Sequence, residues 1–251
     1  MNVLVVHHEA TIINKVLDFL KNNDIKYTVK DRECLNNECY LDKDLVIVIG
    51  GDGTFLRASH HNKDIPVIGI NPQPGKKEGF FMQADVTTYE KILSGLLDKI
   101  NTVDLLRLQV QINNKQLPVL ALNDVFIGDA KPYNMFNYEL VIENQREFQR
   151  GSGLIIGTPA GSSAWLKSAG GKVMDLEDTR FQFVARDLFE GRLIKGNKLK
   201  NGIIDSIKII SRCPGIVVID SISKEYNIKS GDTVIVSKSK DSLKYVKNII
   251  Y

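Results

Sequence analysis

The stretch 44-DLVIVIGGDGTFLRASH-60 decides the fold of the first part of this 251-residue chain. Its apolar run, Leu45 to Ile49, predicts a buried strand, and Phe55 to Ser59 predicts the start of a helix. Glycines between a strand and a helix let backbone amides approach an anion at the positive end of the helix. Asp52 stands among these glycines, where it would repel a phosphate. The sequence therefore predicts that a metal ion lies between them, or that the carboxylate takes a proton from another group.

Strand-like and helix-like segments alternate around this stretch through residues 1–100. The segment 11-TIINKVLDFLKNN-23 has helical periodicity, and Thr11 is its predicted cap. Such alternation is typical of a mostly parallel sheet with helices on both faces, and ligands bind these sheets outside the carboxyl ends of the strands. We therefore predict an α/β, Rossmann-like domain over residues 1–100, with GGDGT as its phosphate loop.

Residues 101–251 show a different periodicity. The segment 106–130 alternates apolar and polar residues around an Asn-Asn turn, and 138-YELVIENQREFQR-150 repeats the hairpin pattern. These patterns predict a β-rich, sandwich-like domain over 101–251 with one short helix near 164–168. Whether the last segment returns to the first domain is left open.

Composition and charge favour an ordinary globular protein, with 43% hydrophobic and 25% charged residues and a net charge of +3. No basic cluster is interleaved with aromatic residues, so we expect no nucleic acid partner. We also expect no signal peptide and no membrane partner, because no apolar run reaches spanning length. Three scattered cysteines predict a reducing, cytoplasmic location, and the adjacent histidine pairs predict no protein metal site.

Three stretches carry the chemistry, and each has a purely structural alternative. GGDGT predicts amides that hold a nucleoside triphosphate, with Asp52 as base and Arg57 near the phosphates; the alternative is a tight turn whose Asp caps the helix. The stretch 150-RGSGLIIGTPAGSSAWLKSAGG-171 predicts a surface for a flat polar ligand, with serine caps for a short helix; the alternative is a tightly packed corner. The pair Asn123–Asp124 suits ribose hydroxyls or an adenine edge; the alternative is an Asx turn.

Together the three stretches resemble the NAD kinase family. That family carries GGDGT in an α/β first domain, and its β-rich second domain carries an Asn-acidic pair and a loop of the form TPxGSxA followed by SAGG. All of these occur here in the family's order. Lipid kinases and phosphofructokinases also carry GGDGT but lack the second loop, so the combination is specific.

The resemblance implies phosphoryl transfer from ATP, or polyphosphate, to the 2′-hydroxyl of the adenosine ribose of NAD or NADH. Mg²⁺ would be carried by the donor phosphates, Asp52 would activate the hydroxyl, and the protein would be a homodimer or homotetramer. The alternatives are another GGDGT-type lipid or small-alcohol kinase and a non-catalytic dinucleotide-binding protein. The implied donor site comprises Gly50, Gly51, Gly53, Thr54 and Arg57, and the implied dinucleotide site comprises Asn71, Asn123, Asp124, Ser152, Thr158, Gly161, Ser162, Ser163, Ala164, Trp165 and Ser168.

The chain departs from the common bacterial pattern of this family at several positions. Bacterial members typically have Glu where Asp124 stands, Asp where Ser152 stands and Tyr where Trp165 stands. The long loop 69-GINPQPGKKEGFF-81 brings Lys76 and Lys77 near the expected site. These features resemble the branch of plant NADH kinases and mitochondrial-type NAD kinases. Because Ser152 removes a carboxylate that would favour the cationic oxidised nicotinamide, we expect NADH to be used well.

Overall fold

The computed structural model describes residues 1–8, 12–76, 78–192, 196–222 and 224–247. Thr11 and Lys77, both singled out above, lie outside these ranges. The helices are α1 (Ile13–Asn22), α2 (Asp52–His61), α3 (Tyr89–Asp98) and α4 (Trp165–Ser168). The strands are β1 (Asn2–His7), β2 (Lys26–Asp31), β3 (Leu45–Ile49), β4 (Val67–Asn71), β5 (Ala84–Asp85), β6 (Thr102–Leu105), β7 (Leu108–Ile112), β8 (Lys115–Gln116), β9 (Asp124–Gly128), β10 (Phe136–Ile142), β11 (Gln145–Gly151), β12 (Gly153–Gly157), β13 (Phe181–Arg186), β14 (Asn201–Ile204), β15 (Ser206–Ser211), β16 (Gly215–Ile219), β17 (Glu225–Ile228), β18 (Thr233–Lys238) and β19 (Leu243–Val246).

The chain divides into two compact units. Unit 1 combines Met1–Asp104 with the segment that starts at Asp241, and unit 2 is Leu105–Lys240. The predicted boundary at 100/101 therefore lies within a few residues of the observed division. The last strand, however, belongs to unit 1 and not to the β-rich part of the chain, because β19 pairs in parallel with β4.

Unit 1 is built on a sheet of order β2-β1-β3-β4-β19-β6, with β5 also paired to β4. β1 pairs in parallel with β2 and β3, and β3 pairs in parallel with β4. The strands β3 and β4 are buried at every position, as expected where both faces are covered. Val16 and Leu20 of α1 and Leu93 of α3 pack into the same core as Ile47. The carboxyl ends of the parallel strands thus meet along one edge, where GGDGT lies.

Unit 2 consists of two six-stranded antiparallel sheets, of order β11-β10-β15-β18-β7-β8 and β14-β13-β12-β9-β16-β17. Their facing residues form a single core, in which Tyr138 and Ile209 of one sheet join Ile156 and Phe183 of the other. On the outer side of the second sheet, Leu166 of α4 packs against Ile155 and Val184. The predicted fold class, an α/β domain plus a β-rich sandwich, is confirmed.

Candidate functional site

Asp52 is the first residue of α2, directly after the strand-to-helix turn at Gly51. Its carboxylate does not cap the helix. Instead, Oδ2 accepts from the Phe80 backbone N–H (3.0 Å) and Oδ1 accepts from the Phe81 N–H (2.9 Å). The capping alternative is therefore wrong for this aspartate, which is held at the helix start by a distant segment of unit 1.

The glycines of GGDGT differ in what surrounds them. A Cβ on Gly50 would lie 2.6 Å from Thr54 Oγ1, so Gly50 is required for packing of the turn. A Cβ on Gly53 would meet nothing within 4 Å, and this residue is exposed. Open space beside the first turn of a ten-residue helix suits an anion held by backbone amides.

Charged side chains lie next to this turn. Arg57 Nη1 pairs with Glu33 Oε2 (2.9 Å), and Arg32 Nε pairs with Glu33 Oε1 (3.0 Å). Arg32 Nη1 also donates to Thr54 Oγ1 (3.4 Å), and the Thr54 side chain is buried. Arg57 therefore lies beside this turn, where it shares a carboxylate with Arg32. Arg32 was missed, although its position directly after β2 places it at the same sheet edge.

Aromatic residues complete this part of unit 1. Phe81 is buried and stacks on Phe55 (4.8 Å between ring centroids), whereas Phe80 is 49% exposed beside Asp52. Tyr245 of β19 packs edge-on against Phe55 (5.9 Å), and burial together with the charge of Asp52 raises the pKa of its hydroxyl. These aromatic contacts were not predicted from the sequence. The signal for them was a glycine followed by two phenylalanines, which places aromatic rings at this edge of the sheet.

Asn71 ends β4 and shapes the loop that leads to these phenylalanines. Its Oδ1 accepts from the Gln73 N–H (2.9 Å), and a Cβ on Gly79 would lie 2.9 Å from its Nδ2. Gly79 also has a φ of +74°, which favours glycine. In this structure Asn71 therefore orders the loop that supplies the amides bound to Asp52.

In unit 2, Asp124 is the first residue of β9 and Asn123 directly precedes it. The Asp220 carboxylate binds the amides that lead into this strand. Burial and the negative charge of Asp220 raise the pKa of the Asp124 carboxyl to about 7. Among the described residues, Asn123 Oδ1 and Asp124 Oδ1 are buried oxygens without a hydrogen-bond partner. The Asx-turn alternative is therefore wrong, since it requires the Asn123 oxygen to accept a local amide.

The small-residue loop begins as a tightly packed corner. The Thr158 hydroxyl donates to the Leu122 carbonyl (2.5 Å) and accepts from the Gly161 N–H (3.0 Å). The Ser162 hydroxyl donates to the Pro159 carbonyl and accepts from the Met174 N–H. Both hydroxyls are fully buried and already bonded, so they hold the loop together. Ser162 does not cap α4, whose N-cap is Ala164 with no side-chain capping bond.

The later residues of this loop face outward. Ser163, Ala164 and Ser168 are exposed. Trp165 is half-buried, stacks on Phe126 at 5.5 Å and lies under the Arg186 guanidinium at 5.3 Å from its ring centroid. Of the predicted dinucleotide residues in this loop, these four are placed where a ligand can reach them.

Ser152 lies beside a cavity of about 220 Å³ within unit 2. Phe126, Asp129, Lys131 and Arg186 line the same cavity, and the Ser152 N–H donates to the Arg186 carbonyl (3.0 Å). The cavity therefore mixes an aromatic ring with both signs of charge, and Ser152 contributes no charge to it.

These features allow acid–base chemistry on a phosphorylated substrate. Unit 1 offers a fixed carboxylate beside a helix start with open space, and unit 2 offers buried polar groups that lack partners. Among the described residues, no cluster of three or more His, Cys, Asp or Glu side chains is arranged to bind a metal ion. None of the described helices is long and apolar enough to cross a bilayer.

Comparison with known proteins gives a consistent result. The family model for the ATP-NAD kinase N-terminal domain matches residues 5–100. A probable NADH kinase of Oryza sativa subsp. japonica is 31% identical over 268 residues, covering 96% of this chain and 81% of the relative. The fold matches an NAD kinase from Archaeoglobus fulgidus, solved in complex with ATP, with a TM-score of 0.84 and 24% identity over 99% of this chain and 94% of the other. It also matches yeast NADH kinase, solved in complex with NADH, with a TM-score of 0.81 and 15% identity. This match covers 99% of this chain and 83% of the other.

Proposed function

The chain belongs to the NAD kinase family, and we propose that it transfers a phosphoryl group from ATP to the 2′-hydroxyl of the adenosine ribose of NAD or NADH, giving NADP or NADPH. The observation that carries this proposal is the arrangement at the start of α2. There the Asp52 carboxylate is fixed by two backbone amides, next to open space at Gly53. A carboxylate held in this way beside a phosphate-binding turn is placed to take a proton from a hydroxyl that attacks the phosphate.

In the proposed reaction Asp52 acts as a general base. It accepts the proton of the ribose hydroxyl while the oxygen forms a bond to the donor phosphorus, and the bond from that phosphorus to the leaving phosphate oxygen breaks. Two bonds from backbone amides keep the carboxylate in one orientation. The side chain needs no rearrangement before the proton moves.

We assign the donor to unit 1. Amides of the turn Gly50–Thr54 hold its phosphates, with Arg57 and Arg32 nearby as cations. Mg²⁺ bound to the donor would neutralise phosphate charge that otherwise repels the attacking hydroxyl. Polyphosphate presents the same linked phosphates and is a second candidate donor.

We assign dinucleotide binding to Asn123, Asp124, Ser163, Ala164, Trp165 and Ser168, with Ser152 near the nicotinamide. Thr158, Gly161 and Ser162 support this site by building its loop, and Asn71 supports it by ordering the segment bound to Asp52. The cavity at Ser152 is lined by two cations and two carboxylates, and the neutral Ser152 adds no further carboxylate that would favour the positive charge of oxidised nicotinamide. We therefore propose that NADH is used well.

We propose that the protein is a homodimer or homotetramer. Unit 2 has open sheet edges, and the edge strands β11 and β14 carry the exposed apolar side chains Phe148 and Ile203. Association of copies covers such edges. Light scattering at micromolar concentration should give a mass above that of one chain, and a fully active monomer would contradict this.

We place the protein in the cytoplasm, because Cys34, Cys39 and Cys213 are free.

The deciding experiment is incubation with ATP, Mg²⁺ and either NAD or NADH, followed by detection of the 2′-phosphorylated product. We expect product from both dinucleotides and none from a diacylglycerol offered as acceptor. Dinucleotide binding without product would favour a non-catalytic binding protein. That alternative is not favoured, because Asp52 and the glycines of the turn are all present.

A further inference from the structure

The Asp220 carboxylate is bonded to the backbone of the Asn123–Asp124 pair and of the residue before it. Its Oδ2 accepts from the Leu122 N–H (2.9 Å), and its Oδ1 accepts from the N–H groups of Asn123 (2.7 Å) and Asp124 (3.0 Å). The Asp220 N–H in turn donates to the Asp124 carbonyl (2.8 Å). Four hydrogen bonds therefore tie a residue at the end of β16 to the start of β9.

The backbone at Asp220 is unusual. Asp220 and Ser221 both have left-handed conformations, with φ values of 52° and 53°, and Asp220 is 3% exposed. Non-glycine residues adopt this conformation at a cost that the surrounding structure must offset. Here the bonds to Leu122, Asn123 and Asp124 offset it.

The side chains that Asp220 holds in place are themselves incompletely bonded. Asn123 Oδ1 and Asp124 Oδ1 are buried, and neither has a partner among the described residues. Buried polar atoms in native proteins are normally paired, so these two oxygens mark a place for a hydroxyl-bearing ligand. An amide oxygen accepts a hydroxyl proton, and a protonated carboxyl donates to a hydroxyl oxygen, which together match a ribose diol.

We propose that Asp220 is a positioning residue for the dinucleotide: it fixes the backbone of Asn123 and Asp124 so that their unpartnered side-chain oxygens meet the ligand. Burial, and secondly the nearby Asp220 carboxylate, favour the neutral, hydrogen-donating form of the Asp124 carboxyl. This inference rests on the proposed function. A neutral Asp124 also avoids repelling the anionic pyrophosphate of the dinucleotide, which an ionised carboxylate would do.

The electrostatics of the site agree with this geometry. The pKa of the Asp124 carboxyl is raised to about 7, mainly by burial and secondly by the charge of Asp220. Among the described residues, Asp220 is the charged group that faces Asp124. Gly157, paired with Asp124 on β12, and the loop Thr158–Ser163 carry no charge. The affinity of the wild type for NADH should therefore fall about tenfold between pH 6 and pH 8, as the protonated fraction falls.

The test compares Asp220→Asn with Asp232→Asn in the full-length protein. Asp232 is a matched control in unit 2, because its carboxylate also accepts a backbone amide, that of Lys229, and a side-chain amide, that of Asn113. We expect Asp220→Asn to raise the KM for NADH at pH 6 about tenfold or more while the KM for ATP stays within about twofold. The pH midpoint of NADH binding should also move to lower pH. Asp232→Asn should change none of these.

Calorimetric binding of NADH, which needs no turnover, separates this inference from the proposed function. Binding that follows the expected pH dependence without any product would overturn the kinase assignment and leave the role of Asp220 standing. In Asp124→Asn the new side chain cannot ionise, so the affinities of this variant for NADH at pH 6 and pH 8 should be nearly equal, with a ratio close to one. An unmoved pH midpoint in Asp220→Asn, an unchanged ratio in Asp124→Asn, or no NADH binding by the wild type would overturn the role assigned to Asp220. If Asp220→Asn does not fold, the Asp124→Asn ratio decides.

Discussion

Two glycine-containing turns, one in each unit, use the absence of a side chain in opposite ways. At Gly53 in unit 1, a Cβ would meet nothing within 4 Å. At Gly161 in unit 2, a Cβ would lie 2.1 Å from the Asn123 carbonyl oxygen. The first glycine leaves room for something outside the chain, and the second lets one piece of the chain approach another. Two glycine-containing turns of similar composition can therefore have different structural roles.

The same contrast holds for the polar residues of the two turns. In unit 1, Asp52 is bonded by two amides and stays at the surface of the helix start. In unit 2, Thr158 and Ser162 are buried and bonded to neighbours. We infer that unit 1 supplies the reacting group, whereas the unit 2 loop mainly positions other groups.

The largest effect is expected at Asp52. Asp52→Asn removes the proposed base, so turnover should fall at least ~10²-fold while dinucleotide binding and fold are preserved. Asp85→Asn is the matched control in unit 1, because the Asp85 carboxylate also accepts two backbone amides, those of Thr87 and Thr88. Steady-state kinetics and circular dichroism of both variants measure this. Near-normal turnover in Asp52→Asn would show that the assigned role is wrong.

The two glycines give the next largest effect. Gly161→Ala forces a Cβ against the Asn123 backbone, so the free energy of unfolding should fall by about 2 kcal/mol or more. Gly53→Ala meets open space within a helix, so stability should change by less than about 0.5 kcal/mol. The affinity for ATP should fall in Gly53→Ala if the donor occupies that space. Urea denaturation measures the stability of both variants, and ATP titration measures their affinity for the donor. Equal losses of stability in Gly161→Ala and Gly53→Ala would contradict the contrast between the two turns.

The pH dependence of stability tests the buried carboxyl of unit 2. The Asp124 carboxyl has a pKa of about 7 in the folded protein and about 3.9 in an unfolded chain. The folded state therefore keeps a proton that the unfolded state releases. This contribution falls as pH rises from about 4 to about 7, by at most about 1.4 kcal/mol per pH unit, and is constant above that range.

Asp124→Asn should remove this contribution. The difference in stability between the variant and the wild type should therefore favour the variant more at pH 8 than at pH 5. The control Asp232→Asn should show no such difference between pH 5 and pH 8, because bonds from Asn113 and Lys229 lower the pKa of the Asp232 carboxyl, which is therefore ionised in both the folded and the unfolded protein at both pH values. Urea denaturation at both pH values measures the difference. The same pH dependence in both variants would contradict the assignment of a buried proton to Asp124.

The smallest effect is expected at Ser152. Ser152→Asp adds a carboxylate to the cavity that also contains Arg186, and it should shift kcat/KM toward NAD by a few-fold, roughly 1 kcal/mol. Solvent screening and the neighbouring cation limit the effect. The ratio of kcat/KM for NAD and NADH, compared with wild type, measures it. An unchanged ratio would mean that Ser152 does not sense the nicotinamide charge.

The fold class was predictable because each unit has its own periodicity. The all-buried run Leu45–Ile49 predicted a central parallel strand, and alternation around Asn113 predicted hairpins. β19 was not predictable, because its four residues carry no local signal of the strand with which they pair. Pairing with β4 depends on burial of Val246 in the core of unit 1, which is a property of the assembled sheet.

The candidate site was predictable where function depends on one local turn and was missed where it depends on distant partners. GGDGT follows a strand and opens a helix, so its place at the sheet edge followed from the sequence. Asp220 lies 96 residues beyond Asp124, within an apolar hairpin that carried no chemical motif. Thr158 and Ser162 carry hydroxyls that suit a ligand equally well, and only packing decides that they point inward.

The place of β19 has a consequence for how the protein is made. Its residues follow all of unit 2 in the chain, so on the ribosome they are synthesised after Lys240. Unit 2 is continuous in sequence and can complete both of its sheets during synthesis. Unit 1 emerges first but must wait for more than half the chain before Tyr245 can pack against Phe55, close to the proposed base. The part of the molecule that begins to fold first is therefore the last to be finished, which keeps the proposed catalytic centre incomplete until unit 2 has been synthesised.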